Sequence, residues 1–416
     1  MPEPRALVHS GSISSLGALL SKDGRRDPNP FYANLHRQGQ VSLMSGPAEK
    51  FDVVVHGYDA VYEALRDPAL HVMTSDYPDR RDSTLWRDHP ALCVLVNSIF
   101  FTDGTDHTRM RRLFGHAFSA RRVAALEPAI ARIVEWRLDR LAELGAGGEP
   151  VDLLAEFALP IPSDVVGELL GVPEGDRDWF PPRVRAFGAI LDLGGGVWRF
   201  QRAADKAAEE LTGYFTDLVA KRRAEPQDDL ISALVTADGL DLDDDELIAN
   251  LVTMYNGGFV TTTHLIGNAA RILLDDPEEK ARVLADEERA ERFVQEVLRF
   301  EPPTHFSIRW AAAGTEVAGT PVAKDSRVLV LLGAANRDPQ RFTDPDTFDA
   351  GRDQGHPLTF GAGAHYCLGA VLSKMEGKVA LPMLLRRFPD LALAGDPGER
   401  TTLMLRGYES LPVTVS

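Results

Sequence analysis

Cysteine is scarce in this chain, since Cys93 and Cys367 are the only two among 416 residues. Two thiols this far apart cannot form a disulfide framework, and such a composition is typical of a reducing compartment. They are also too few for a plant-type iron-sulfur cluster, which needs four thiolates. Any electrons that this protein consumes must therefore come from another protein.

Long hydrophobic runs are absent as well. The sequence contains no stretch of ~18 consecutive apolar residues, the minimum for a transmembrane helix. Residues 1–15 do not join a basic region to a long apolar one, as a secretory signal would. We therefore predict a cytoplasmic protein without a membrane span.

Positive charge is in deficit, because 45 lysines and arginines face 62 acidic residues and leave a net charge of -17. No basic block stands out, so nucleic acid is not expected as a partner. Length alone would permit two or three domains of ~150 residues. However, no repeat, linker or change of composition divides the chain, which favours a single domain over residues 1–416, monomeric and without a fused reductase.

What the sequence does contain is mostly helical periodicity. A long helix is predicted over residues 243–276, opened by an acidic cap with Glu246 three residues on and closed by Asp276-Pro277. Further helices are predicted over residues 119–144 and 203–221, and strands over residues 51–55, 307–311 and 327–332. The prolines and glycines between Trp179 and Trp198 are interpreted as a mobile lid or a plain surface loop. The predicted fold class is mainly α with small β-sheets.

Cys367 lies in the glycine-rich segment F-G-A-G-A-H-Y-C-L-G, residues 360–369. Glycine has no side chain to bury, so three glycines around a thiol do not suit core packing but allow a flat group to lie against the backbone. Helix-forming residues follow, and a helix start favours a thiolate over a thiol. We interpret Cys367 as an iron ligand. The alternatives are a small buried cysteine and a dinucleotide fingerprint, which lacks its third glycine because Tyr366 stands there.

This segment, with Glu376 nine residues after the cysteine, resembles the haem-binding loop of cytochrome P-450 enzymes, the haem-thiolate monooxygenases. The composition, rich in Ala, Arg, Asp and Gly and without a fused reductase, resembles the soluble bacterial, actinobacterial-like members of that family. The resemblance implies haem b between a long central helix, the I helix, and the cysteine loop, with Cys367 as axial iron ligand. It also implies haem-binding roles for a set of loop residues: Phe360, Gly361, Gly363, His365 and Gly369.

His107 and Arg111 are four residues apart and share one face of a helix that we expect to begin near Thr105. In isolation they would be an ordinary solvated basic face. They resemble the family's C helix, whose matching His and Arg pair with a haem propionate, a role that suits an imidazole donor and a guanidinium fork. By the same resemblance, Arg309 and His365 complete the propionate shell. Arg109 and Arg112 would then point towards solvent.

Glu296 and Arg299, three residues apart on a predicted helix, would normally be a surface pair stabilising by a few tenths of a kcal/mol. Here they resemble the family's E-x-x-R pair, and Arg352 resembles its third partner from the meander segment. The resemblance implies that this triad is structural rather than catalytic.

Gly257, Gly258 and three threonines interrupt the middle of the long predicted helix, where each glycine costs roughly 1 kcal/mol relative to alanine. Such a breach of local preference is most frequent at functional sites, although a close helix contact could also account for the glycines. The segment resembles the family's oxygen-binding groove. That resemblance gives Gly257 and Gly258 the small positions and Thr261 the hydroxyl that steadies dioxygen.

Val260 occupies the position where the family usually has an acid, and valine cannot relay protons. Three hypotheses remain open. Ordered water held by Thr261 and Thr262 carries the proton, a polar group of the substrate replaces the acid, or the enzyme favours one-electron oxidation and radical coupling over oxygen insertion.

The resemblance implies an enzyme that hydroxylates or otherwise oxidises a small organic molecule with dioxygen and electrons from a separate ferredoxin or flavodoxin, in secondary-metabolite biosynthesis. Two alternatives stay open: an oxidative coupling or ring-forming catalyst, and a non-catalytic haem-binding or substrate-binding accessory protein. Substrate contacts are expected from Val260, Thr304 and Phe306, and from residues 82–101, 186–193 and 405–408. A basic docking surface for the electron donor is expected from a set of side chains: Arg109, Arg112, Arg352, Lys374 and Lys378.

Overall fold

The structure, a computed structural model, describes residues 12–13, 16–44, 51–72, 74, 84–191, 197–237, 242–398 and 402–415. Helices dominate this part of the chain. They are α1 (Gly17–Leu20), α2 (Lys22–Arg26), α3 (Asn29–Gln38), α4 (Tyr58–Ala64), α5 (Pro90–Val96), α6 (Gly104–Ala117), α7 (Ala120–Ala125), α8 (Glu127–Gly145), α9 (Pro160–Leu170), α10 (Phe180–Gly188), α11 (Val197–Ala224), α12 (Leu230–Val235), α13 (Asp244–Asp275), α14 (Pro277–Ala285), α15 (Glu287–Phe300), α16 (Leu332–Ala335) and α17 (Ala370–Arg387).

The strands are short and form three small sheets. They are β1 (Ser12–Ile13), β2 (Val41–Met44), β3 (Val53–Val55), β4 (Leu70–His71), β5 (Val151–Asp152), β6 (Ser307–Ala311), β7 (Thr315–Val317), β8 (Thr320–Val322), β9 (Arg327–Val330), β10 (Ala392–Leu393) and β11 (Pro412–Thr414). One sheet has the order β1-β2-β3-β9-β6-β4, the second β10-β11-β5, and the third β7-β8. In the first sheet, β6 and β9 are antiparallel, and Arg309 on β6 pairs in register with Val328 on β9.

Helix α13 is the central element of the fold. Its 32 residues correspond to roughly 48 Å at 1.5 Å per residue. The Asp243 side chain accepts a hydrogen bond from the Glu246 backbone N–H, and the Glu246 side chain accepts one from the Asp243 N–H, which completes a capping box. The helix packs against α9, α11 and α17. Most of its residues from Leu247 to Leu273 are buried, as expected of a helix in the interior.

Two apolar clusters include residues of this helix. The first joins side chains of α8, α9, α13, α15 and α17, and the second joins α5, α6, α10, α11 and α13. Two further clusters cover the largest sheet. The site discussed below lies where the helical clusters meet β6 and the loop before α17.

The mainly α fold with small sheets is confirmed. The long helix begins and ends within a residue of its predicted bounds, and the strand over residues 307–311 has the predicted limits. The helix predicted over residues 119–144 is instead two helices, α7 and α8. The break has a local cause, since Pro128 has no N–H to donate to a preceding carbonyl.

The segment between Trp179 and Trp198 is partly helical. Its two prolines lie in the first turn of α10, where a missing N–H costs nothing. The hypothesis of a lid covers this whole segment and stays a prediction, and its residues 192–196 lie outside the described residues. No helix in the described part of the chain is long and apolar enough to cross a membrane.

Candidate active site

The loop that carries Cys367 is shaped by two glycines. Gly361 and Gly363 have φ angles of 72° and 71°, in the left-handed region that favours glycine. A Cβ atom on Gly363 would also lie only 2.8 Å from the carbonyl oxygen of Leu65. The Cys367 N–H donates to the Phe360 carbonyl over 3.0 Å, which closes the loop just before α17. The thiol therefore has a fixed position at the start of a helix, as predicted.

The electrostatic surroundings of the thiol act in opposite directions. Burial raises the pKa of Cys367, while the backbone N–H groups of Gly369 and Ala370 and the charge of Arg111 oppose that rise. A bound cation would add to these opposing effects and favour the thiolate. Within the described residues, no group of three His, Cys, Asp or Glu side chains could hold a metal ion.

His107 and His365 are packed against each other, with ring centroids 4.1 Å apart. The Nε2 atom of His365 lies 2.9 Å from Oδ1 of Asp103, which connects this pair to the residue before α6. Burial lowers the pKa of His107 to about 4, and the nearby charges of His365 and Arg111 act in the same direction. Asp103 was missed by the sequence analysis. Although burial opposes the shift, its hydrogen bond and charge interaction with His365 lower the pKa of this carboxyl group.

Two arginines close to this pair, Arg111 and Arg309, lack a carboxylate partner among the described residues. Arg309 is only 5% exposed, and its Nη1 donates to the neutral oxygens of Ser307 and Ile308 at 2.6 and 2.8 Å. Burial lowers the pKa of Arg309 to about 10 despite the charge of Asp103, and burial also lowers the pKa of Arg111. Among the described residues, neither arginine has a carboxylate within ion-pair distance. A buried cation is costly without an anion.

These observations fit haem. The two arginines and two histidines are linked through Asp103 and Cys367, so the cationic groups lie near the thiol rather than dispersed over the fold. A planar group that carries two carboxylates could neutralise both guanidinium groups while its metal meets the thiol. The residues present therefore provide what the propionates and the iron of haem would need.

Helix α13 exposes one face in the middle of the protein. Gly257, Gly258, Val260, Thr261 and His264 are partly exposed, whereas Phe259, Thr262 and Thr263 between them are buried. Accessible surface at the centre of an interior helix means that this face borders a cavity. The ring of Phe100, which is 44% exposed, would lie 3.0 Å from a Cβ atom on Gly257. The small residue at position 257 therefore makes room for that ring beside the groove.

The other members of the predicted groove face elsewhere. A Cβ atom on Gly258 would lie 2.6 Å from Cγ2 of Val166, so this glycine allows α9 to approach α13. Thr262 donates its hydroxyl to Ser373 Oγ over 3.1 Å, and Thr263 donates to the Phe259 carbonyl over 2.9 Å. A close helix contact therefore accounts for Gly258, and its place in the oxygen groove stays a prediction. A water held jointly by Thr261 and Thr262 is also disfavoured.

Thr261 is the threonine that borders the cavity. Its hydroxyl donates to the Gly257 carbonyl over 2.6 Å. With the hydroxyl hydrogen used in this bond, the oxygen is left to accept hydrogen bonds from the cavity.

The predicted triad of Glu296, Arg299 and Arg352 is assembled in the structure. Arg299 donates to both carboxylate oxygens of Glu296, at 2.8 and 2.7 Å, and Arg352 Nε lies 3.4 Å from the same carboxylate. Arg299 also donates to the carbonyls of Asn336, Pro345 and Thr347. The triad thus fastens the irregular segment 336–352 to α15. Its contacts are those of a structural brace.

Three expectations are corrected by the geometry. Arg109 does not point to solvent, because it makes a bidentate ion pair with Glu246 of α13 at 2.9 and 2.6 Å. Arg352 is buried in the triad and is not available for docking. Phe306 is fully buried in the apolar cluster around Tyr32 and Leu329, so it packs in the core rather than against a substrate. Thr304, in contrast, is partly exposed and forms a β-bridge with Leu405.

Sequence analysis also missed the state of Glu376. This residue lies on α17, is 1% exposed, and has one carboxylate oxygen without a hydrogen-bond partner. Burial raises its pKa well above the usual value. The acid stands among helix residues whose buried neighbours Leu372 and Ala380 are four positions away on either side. That spacing is the signal that could have identified it as an interior acid.

Comparisons with known proteins agree with this geometry. The family described as cytochrome P-450 matches residues 191–400. Cytochrome P-450 107B1 of Saccharopolyspora erythraea is 40% identical, over 86% of this chain and 87% of that protein. The 6-deoxyerythronolide B hydroxylase of the same organism is 38% identical, over 86% of this chain and 89% of the hydroxylase. The solved structure of CxnD, a cytochrome P-450 enzyme for C-S bond formation in chuangxinmycin biosynthesis, has a TM-score of 0.84 at 32% identity and covers 98% of each chain.

Proposed function

Because this chain belongs to the cytochrome P-450 family and is a haem-dependent oxidoreductase of the monooxygenase type, we propose that Cys367 provides the thiolate ligand of haem b. The observation that carries the assignment is a thiol at a helix start, contacted by two backbone N–H groups and close to Arg111. When bound, haem supplies the activation of dioxygen that oxidises a C–H bond.

The haem propionates are assigned to His107, Arg111, Arg309 and His365. Arg111 is on helix α6 and Arg309 on the inner strand β6. In the described structure neither guanidinium group has a carboxylate within ion-pair distance, and the pKa of each is lowered by burial. Carboxylates at this position would remove the cost of the buried charges. The roles of these residues are therefore to orient the haem and to neutralise its propionates, with Asp103 holding His365 in place.

Thr261 is assigned to the oxygen groove. Its hydroxyl is held by the Gly257 carbonyl, so the threonine oxygen presents lone pairs to the cavity. Phe100 and Val260 give the adjoining walls an apolar character, which favours a substrate with an apolar reacting region. Thr304 and Leu405, joined by their β-bridge, are proposed to contact the substrate from the opposite chain segment.

The proposed reaction is oxidation of a small organic molecule in secondary-metabolite biosynthesis. The relative named as a 6-deoxyerythronolide B hydroxylase supports oxygen insertion. The second candidate is oxidative coupling without oxygen insertion, which Val260 at the acid position and the C-S bond formation named for CxnD favour. Labelled dioxygen separates the two, since the label enters the product only in the first.

We place this enzyme in the cytoplasm as a single-domain monomer over residues 1–416, reduced by a separate ferredoxin or flavodoxin. Arg109 and Arg352 do not belong to the docking surface, because they form ion pairs with Glu246 and Glu296. Arg112 is exposed and Lys374 partly exposed, while Lys378 already pairs with Glu287 at 3.4 Å. Tyr366 and Val371, both exposed, add apolar surface next to the cysteine loop.

The assignment of the ligand is tested by the absorption spectrum of the reduced, carbon monoxide-bound protein. The far-shifted Soret band of a thiolate-ligated haem is expected for the parent and for Cys93→Ser, which serves as the matched control. Cys367→Ser should lose this band. A folded, haem-loaded Cys367→Ser protein that kept it would overturn the assignment.

A further inference from the structure

His264 stands one helical turn after Val260, on the same face of α13. Side chains four residues apart on a helix are neighbours, and both residues are partly exposed, as Thr261 is between them. We propose that His264 provides the proton donor that the valine cannot. The inference rests on the proposed function, since it concerns proton supply to the same groove.

The groove needs a donor other than Thr261. The Thr261 hydroxyl hydrogen is engaged by the Gly257 carbonyl at 2.6 Å, so its oxygen can receive a proton or hydrogen bond but has none of its own to give. Phe100 and Val260, which flank the same space, have no exchangeable hydrogen on their side chains. Imidazole is the side chain best suited to give and regain a proton near neutral pH.

The histidine is held by the turn of residues 405–409. A Cβ atom on Gly407 would lie only 1.9 Å from Nδ1 of His264, so the ring rests directly on the backbone of this glycine. Asn268 holds this turn in place, because its Nδ2 donates to the carbonyls of Arg406 and Glu301 at 3.3 and 3.1 Å. Nδ1 is enclosed by this contact, so the donor that we propose is the N–H at Nε2.

The same turn leads to solvent. Glu409, two residues after Gly407, forms an ion pair with Arg185 of α10 at 3.7 Å, and both side chains are exposed, by 46% and 60%. The other charged groups around the turn are Arg406 and Glu301, 3.9 Å apart and both largely buried. Glu409 is therefore the exposed carboxylate of this turn, and the imidazole is proposed to regain its proton from water on this side of the groove. In each cycle an N–H bond of His264 breaks, an O–H bond forms in the groove, and solvent returns the proton, so the histidine is unchanged overall.

The test compares His264→Leu with the double variant His264→Leu, Val260→Asp. We expect His264→Leu to lower product formation by about 100-fold, at the lower end of the effect of a positioned proton donor, and to release more peroxide per electron pair. The added carboxylate should restore most of the coupling. The matched control is His356→Leu, because His356 is an exposed histidine that contacts Gln295 away from the groove.

A merely structural role would not be rescued by a carboxylate at position 260, so failure of rescue, or full coupling in His264→Leu, would overturn the proposal. The carbon monoxide spectrum separates this outcome from a failure of the proposed function. If both variants keep the thiolate band, the haem assignment stands whatever the coupling does.

A second readout is independent of turnover. Diethyl pyrocarbonate should modify His264 in the substrate-free holoenzyme, and an azole that fills the cavity should protect it, as measured by mass spectrometry of peptides. Modification of His356 should be equal with and without the azole. A His264 that reacts equally in both states would contradict its place on the cavity wall.

Discussion

Glu376 is an acid enclosed by the protein, with one oxygen that has no hydrogen-bond partner. Burial raises its pKa well above the usual value, so the folded state favours the protonated form. In the unfolded chain the carboxyl ionises at ordinary acidic pH. Folding then takes up a proton at neutral pH, and the stability associated with this group is greatest below the unfolded pKa and is lost as the pH rises towards the folded one.

Replacement by the neutral amide in Glu376→Gln should remove this dependence on pH. Between the unfolded and folded pKa values, we expect the free energy of unfolding of the variant, relative to that of the parent, to increase by about 1.4 kcal/mol for each unit by which the pH rises. Denaturant titrations of both holoenzymes at a series of pH values measure the difference.

Glu291→Gln provides the matched control, because Glu291 is exposed on α15. Its stability profile should run parallel to that of the parent. Parallel profiles for Glu376→Gln and the parent would show that the buried carboxyl does not take up a proton on folding.

At the scale of elements, Arg109 connects α6 to the beginning of α13. Its guanidinium makes two hydrogen bonds to Glu246, and the two side chains are only 18% and 22% exposed. Glu246 also belongs to the capping box with Asp243. The helix that carries His107 and Arg111 is therefore held at a fixed distance from the helix that carries the oxygen groove.

A double-mutant cycle of Arg109→Ala and Glu246→Gln should reveal a coupling of about 1–2 kcal/mol in the free energy of unfolding, as expected of a bidentate, partly buried pair. The same cycle with Arg112→Ala should give a value near zero, because Arg112 is exposed and faces away. Additive effects of the first pair would mean that this contact does not hold the two helices together.

The elements themselves were largely predictable, because helical period and capping are local properties of the chain. The bounds of α13 follow from Asp243, Glu246 and Pro277, all adjacent to its ends. The partners across elements were not predictable. Arg109 and Glu246 are 137 residues apart, and the sequence around each of them gives no indication that the two are in contact.

The candidate site divides in the same way. The resemblance of short motifs predicted one site formed by Cys367, His107, Arg111 and Thr261. The structure places Arg111 near Cys367 and His107 and Thr261 on the partly exposed face of α13, while the roles of all four stay predictions. The direction of a single side chain could not be foreseen. Gly258 turned out to face Val166, because a shift of one residue on a helix rotates a side chain by about 100°.

At the scale of the whole molecule, the net charge of -17 opposes the approach of an acidic electron donor. Docking must therefore depend on a local patch, for which Arg112 and Lys374 are proposed. Electrostatic steering can change association rates by 10-fold or more at low salt, and the effect declines as ionic strength rises.

Charge reversal in Arg112→Glu, Lys374→Glu should therefore slow reduction by an acidic ferredoxin about 10-fold at low ionic strength. Stopped-flow measurements at rising salt should show the difference disappear. Lys206→Glu, at an exposed site on α11, is the control and should leave the rate close to that of the parent. Unaltered reduction kinetics in the double variant would place the docking surface elsewhere.

The sheet β10-β11-β5 joins segments that are distant in the chain. The Leu411 N–H donates to Asp152, 259 residues earlier, and a Cβ on Gly145 would meet Val415. At ~5–20 residues per second, synthesis of the intervening chain takes on the order of 10–50 s. During this time the nascent chain exposes the apolar surface of α8 and β5, because the C-terminal segment that covers this surface has not been synthesised. For most of this time Cys367 has not been synthesised either. Cofactor capture must therefore follow translation of nearly the whole segment, and a stalled nascent chain would depend on chaperones rather than on haem to stay out of aggregates.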